Sequence, residues 1–140
     1  MNDEEFLRQF EAAVIPMEQW HHREHIRVAY LYLSRYPQDA AIEKICSGIK
    51  ALNSAQKVPE AIDRGYHDTI TLAWIRLVQC ALAEFGPAES ADVFMDKHTQ
   101  LLSKRALLFF YSRDRIMSAE AKARFIEPDL APLPQSGKIR

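Results

Sequence analysis

Apolar residues recur along this chain at three- and four-residue intervals, without the strict alternation of a half-buried strand, which predicts helices throughout. Phe6, Leu7, Phe10, Ala13 and Val14 follow an acidic first turn and predict a short amphipathic helix over residues 3–14, after which Pro16 ends it or opens the next turn. A second helix runs from about residue 18 to 36 and stops before Pro37, whose ring disfavours helical backbone in the residue preceding it. Ala41, Ile42, Ile45, Cys46, Ile49 and Leu52 form the inward stripe of a third helix over residues 38–56, slightly weakened by Gly48. Residues 57–65 break the periodicity and predict a loop long enough to fold over the end of a bundle. A fourth helix spans about residues 66–85 and is closed by Gly86-Pro87. Beyond it the pattern predicts a short helical piece over residues 90–97, an apolar central helix from about Thr99 through Tyr111, and a serine-capped helix from Ser118 to about Phe125. The run Asp129-Leu130-Ala131-Pro132-Leu133-Pro134 cannot be helical and predicts an extended tail whose leucines dock on the body, with residues 135–140 frayed. The expected fold is all-α, a helical bundle or orthogonal array of five to seven helices with short connections.

Composition narrows this picture. A chain of 140 residues with 48% hydrophobic content supports one core, so we expect a single helical domain over residues 1–127 and a proline-rich extended tail over residues 128–140. Eighteen basic residues against 19 acidic ones leave a net charge of -1, and no overall field draws the chain to nucleic acid or an anionic membrane. No apolar run approaches the roughly 18 residues of a membrane span, and the start, Met1-Asn2-Asp3-Glu4-Glu5, is acidic, so the expected location is the cytoplasm. Cys46 and Cys80 lie within helical patterns without CxxC spacing and read as small buried hydrophobes. The apolar fraction of the later helices makes a homodimer the expected assembly, if any forms.

The candidate chemistry lies at two helix starts. On a wheel of about 100° per residue, His22 and His25 fall on the apolar face with Ala29 and Leu33, while Arg23, Glu24 and Arg27 turn away. His67 likewise falls on the side of Thr71, Trp74 and Val78. Helices joined by short connections alternate in direction, so the second and fourth run the same way and their starts share an end of the bundle. His22, His25 and His67 would then meet in one layer, a donor set suited to a divalent zinc or iron ion with open positions for water. The spacing is not HExxH, because Glu24 points away from the two imidazoles. His21, Tyr32, Tyr66, Thr71 and Trp74 are the residues expected around such a site, with the hydroxyls or backbone carbonyls as partners for the rings; His98 reads as a surface residue.

A second cluster is cationic. Lys104, Arg105, Arg113 and Arg115 lie near the two ends of the apolar segment with Tyr111, and arginines so grouped clamp carboxylates and phosphates, making a small anionic ligand the expected partner. Two readings follow. In one, the protein is a small metal-dependent hydrolase or other metalloenzyme, with a concave opening beside the histidines. In the other, it is a non-enzymatic binding or interaction module whose histidines form a hydrogen-bonded polar layer.

The motifs Trp20-x-His22-x-x-His25-x-Arg27-Val28-Ala29-Tyr30-Leu31-Tyr32-Leu33 and Gly65-Tyr66-His67-Asp68-Thr69-x-Thr71-Leu72-Ala73-Trp74 extend to Lys104-Arg105, Tyr111-Ser112-Arg113 and Phe125-x-Glu127-Pro128-Asp129-Leu130-Ala131-Pro132-Leu133-Pro134. Together they resemble a family of small bacterial all-helical proteins labelled uncharacterised. The resemblance covers nearly the whole chain and implies one helical cytoplasmic domain and no particular substrate. A weaker similarity, to four-helix metal-binding proteins that mount three histidines across a bundle, is one of architecture and not of spacing.

Overall fold

Asp3 ties the first helix to two others before any core contact is counted. In the computed structural model, which describes residues 1–135, its carboxylate accepts from the Arg27 guanidinium at 3.1 and 3.0 Å and from the backbone N–H of Ala91 at 2.9 Å. These bonds join α1 (Asp3–Glu11), α2 (His22–Arg35) and the start of α5 (Ala91–Lys97). Between them run α3 (Gln38–Ala55) and α4 (Asp68–Phe85), and the chain ends with two short helices, α6 (Arg113–Ile116) and α7 (Ala119–Ala123). The architecture is all-α, and no strand occurs among the described residues. None of the described helices is long and apolar enough to cross a membrane.

Helix α2 is the central element. It packs on α3 and α4 and also touches α1 and α5, burying Ile26, Val28, Ala29, Tyr30, Leu31 and Tyr32. The Tyr30 hydroxyl both donates to the Ala88 carbonyl and accepts from the Ala88 N–H, each at 3.0 Å, and so fixes the α4–α5 connection against α2. Phe10 of α1 reaches into the same core and stacks on Trp20 with ring centres 5.8 Å apart. Gly48 makes this approach possible, since a Cβ there would sit 2.3 Å from the Phe10 ring.

Helix boundaries depart from the periodicity at four places. The second helix does not begin near residue 18: a 3₁₀ turn (Met17–Gln19) is followed by extended Trp20 and His21, and α2 starts at His22. The reason is a cap, since the Glu24 carboxylate accepts from the His21 N–H at 2.9 Å. The fourth helix starts at Asp68, because the His67 ring caps it. The first ends at Glu11, where Ala13 adopts φ 59° and turns the chain away. The expected helix from Thr99 through Tyr111 is instead two 3₁₀ stretches, Thr99–Leu102 and Lys104–Phe109, separated by extended Ser103. Lys104 and Arg105 interrupt the apolar run, only Leu101 and Leu107 of the two stretches are buried, and packing across the bundle decides the path.

The tail docks as its leucines suggest. Leu133 is buried, the Leu130 N–H donates to the Phe110 carbonyl at 2.8 Å, and Asp129 accepts from the Ser112 N–H and hydroxyl at 2.8 and 2.6 Å. Leu130 itself stays exposed. Of the stretch expected to fray, all but Gln135 lies outside the described residues.

Candidate functional site

The three inward histidines and three of the four clustered cations line one half-open cavity of about 840 Å³. Its walls come from α2, α3, α4, the second 3₁₀ stretch of the 99–109 segment, α6, and the loop between α3 and α4. The loop contributes Val58, Gly65 and Tyr66. It is held in place from outside by Lys122 of α7, whose ammonium donates to the Glu60 carboxylate at 2.9 Å and to the Tyr66 carbonyl at 2.8 Å. Gly65 is required there, with φ 86° and the Glu60 carboxylate 2.4 Å from where a Cβ would lie.

Each histidine is bound to a peptide carbonyl, not to the Tyr32, Tyr66 or Thr71 hydroxyls. His22 Nε2 lies 2.9 Å from the Leu101 oxygen, His25 Nδ1 lies 3.0 Å from the His21 oxygen, and His67 Nε2 lies 2.8 Å from the Ile116 oxygen. A carbonyl only accepts, so each of these nitrogens carries the proton. His67 is committed at both nitrogens, because its Nδ1 accepts from the Ile70 N–H at 3.0 Å and caps α4. That bond requires the neutral ring. Burial holds all three imidazoles below their ordinary pKa, against the opposing pull of the carbonyls; Lys104 lowers His22 and His25 further, and Lys122 lowers His67.

His22 Nδ1 and His25 Nε2 alone among the three rings' nitrogens are uncommitted within the described residues. Two imidazoles fall short of the three protein ligands of a catalytic zinc site. Among the described residues no group of three or more His, Cys, Asp or Glu side chains is placed to hold a metal ion. His22, His25 and His67 thus line one opening, each tied to its own peptide carbonyl.

Aromatic packing holds the two free-ended rings. His22 lies against Trp74 with centroids 4.5 Å apart, and His25 against Trp20 at 4.3 Å. Both indoles line the cavity, and they are the only tryptophans in the chain. Tyr66 and Thr71 line it too, as does exposed His21. The Tyr66 hydroxyl donates to Asp68 at 2.9 Å and is pushed above its ordinary pKa chiefly by burial. Tyr32, expected nearby, points elsewhere. Its hydroxyl donates to Glu11 at 2.6 Å, and burial together with that carboxylate raises its pKa.

The cations divide as well. Lys104, Arg105 and Arg113 are exposed, line the cavity, and have no ion pair among the described residues. Arg115 is instead turned to the tail, with Nε donating to the Glu127 carbonyl at 2.6 Å. No Asp or Glu lines the cavity among the described residues: Glu24, Glu60 and Asp68 are engaged in capping, in the loop and with Tyr66. Below the cationic rim the lining is buried and mostly apolar, with Ala29, Ile45, Ile49, Trp74 and Ile75 each less than one-tenth exposed. One polar residue at that depth, Asn53, gave no signal in the sequence, where it looks like any polar position near a helix end.

His98, expected at the surface, is buried between the rings of Phe85 and Phe94, 5.1 and 4.5 Å away, and burial lowers its pKa. Cys46 and Cys80 are half-buried free thiols, with burial raising both pKa values. No protein-family model, curated protein or solved structure matches the chain.

Proposed function

We propose that this protein binds a small amphipathic acid, whose oxyanion rests at the Lys104, Arg105 and Arg113 rim and whose apolar body fills the cavity below. The observation that carries the reading is a rim of three cations with no ion pair among the described residues and no Asp or Glu in the lining, set over a buried apolar lining in a chain of net charge -1. Ordinary solvated cationic surfaces are interleaved with acids, as Arg23 and Arg35 are here with Asp92 and Glu4. The cavity volume lies within the range of about 300–1,000 Å³ usual for small-molecule sites. The free His22 Nδ1 and His25 Nε2 are acceptors in the neutral rings, so they suit a hydrogen-bond donor of the ligand and leave its oxyanion to the cations.

Titration with 2-naphthoate tests the reading, with heat and the two indole N–H signals as readouts. Binding should shift both indole signals, Trp20 and Trp74, and weaken with rising salt. The uncharged 2-naphthamide should bind at least about tenfold more weakly, and Lys104→Ala or Arg105→Ala should each cost roughly threefold to tenfold, since a charge-assisted hydrogen bond at an exposed rim is partly screened. Equal affinity for the acid and the amide would sink the proposal.

The metalloenzyme reading has less support, because recruiting His67 as a ligand would remove the cap of α4. It has its own test. Stoichiometric zinc or iron in untagged protein after metal supplementation, lost in His22→Ala and His67→Ala, would displace the binding reading.

A further inference from the structure

Asn53 lies near the end of α3, is 9% exposed, and lines the cavity among Ile45, Ile49 and Ile75. Its backbone carbonyl is occupied, accepting from the Val58 N–H at 2.9 Å where the loop begins. Its side-chain amide makes no hydrogen bond to the described residues. Yet among those residues no fully buried side-chain nitrogen or oxygen lacks a partner. The amide therefore retains a little accessible surface, and Asn53 is one of the residues that line the cavity.

An amide in such a place discriminates between ligands. A purely hydrocarbon body that filled the cavity would strip water from two N–H donors and one carbonyl and return no hydrogen bond, which offsets part of what the apolar contact gains. A ligand with a hydroxyl or carbonyl oxygen at that depth would restore the lost bonds. Sites built around a buried hydrogen-bonding group reject the analogue that lacks its partner far more strongly than apolar sites reject an extra methylene. Building on the amphipathic-acid reading, we propose that Asn53 makes the cavity select bipolar acids. These carry an oxyanion at the end held by the rim and a hydroxyl or carbonyl oxygen at the opposite end, within reach of the Asn53 amide.

Comparison of 6-hydroxy-2-naphthoate with 2-naphthoate, by calorimetry on the full chain, tests this. The wild-type protein should prefer the hydroxylated acid by about tenfold, the scale of one buried hydrogen bond made instead of left open. Asn53→Leu should abolish or reverse that preference while still binding 2-naphthoate, and Asn53→Ala serves as the second variant should the leucine perturb folding. A wild-type protein that binds 2-naphthoate but gains nothing from the hydroxyl overturns this inference alone. So does a preference that persists in the variants. Failure of the wild type to bind either acid removes the underlying reading as well.

Discussion

His67 shows how far a single residue can be read from its neighbours in sequence. The wheel puts it inward at the start of the fourth helix, and it is inward, but as the cap and not as the first turn. Its second bond goes to Ile116, 49 positions away, and no local pattern could reveal that carbonyl. His67→Ala should therefore cost about 1–3 kcal/mol, the loss of a cap plus a hydrogen bond, read as a lowered denaturation midpoint with unchanged helix content. The histidines also set a pH dependence. Their folded pKa values lie below the unfolded value of 6.5, so the unfolded chain takes up protons first as the pH falls. Stability should hold above about pH 6.5 and decline below it as the unfolded chain's imidazoles titrate. Thermal melts from pH 8 to pH 5 check this, and a stability that rises on acidification would contradict it.

At the scale of the element, the long regular helices were legible and the path of the 99–109 segment was not. Helix α3 matches its expected span within a residue, because charged positions mark one side. The 99–109 segment buries only Leu101 and Leu107, and the Leu101 carbonyl serves the distant His22. Gly48 tests how closely elements approach. Alanine there would gain up to about 1 kcal/mol of helix propensity in isolation. It would also drive a methyl into the Phe10 ring, and overpacking of this kind costs typically 1–3 kcal/mol. Gly48→Ala should thus be net destabilising in a denaturant titration. It should also move the Trp20 indole signal, because Phe10 stacks on that wall of the cavity.

For the whole molecule, the ends of the chain complete what the middle begins. The tail covers the segment that carries the rim: Leu133 is buried, Asp129 holds Ser112 next to Arg113, and the Tyr111 hydroxyl donates to the Ile126 carbonyl at 2.7 Å with its pKa pushed up to about 12 by burial. Leu133→Ala should cost about 2 kcal/mol or more, by the loss of buried side-chain volume, and should broaden or shift amide signals around Ser112 and Arg113. The amino-acid sequence by itself determined the helical class, the inward histidines and the existence of a cationic cluster. Periodicity and residue chemistry are local properties, readable over a turn or two. That the histidines and cations face one cavity, that Arg115 and Tyr32 stand outside it and that Asn53 stands within it, was decided only in three dimensions. So was the carbonyl that claims each imidazole. Each of those outcomes turns on which backbone groups arrive from tens of residues away, and the spacing along a single helix carries no record of them.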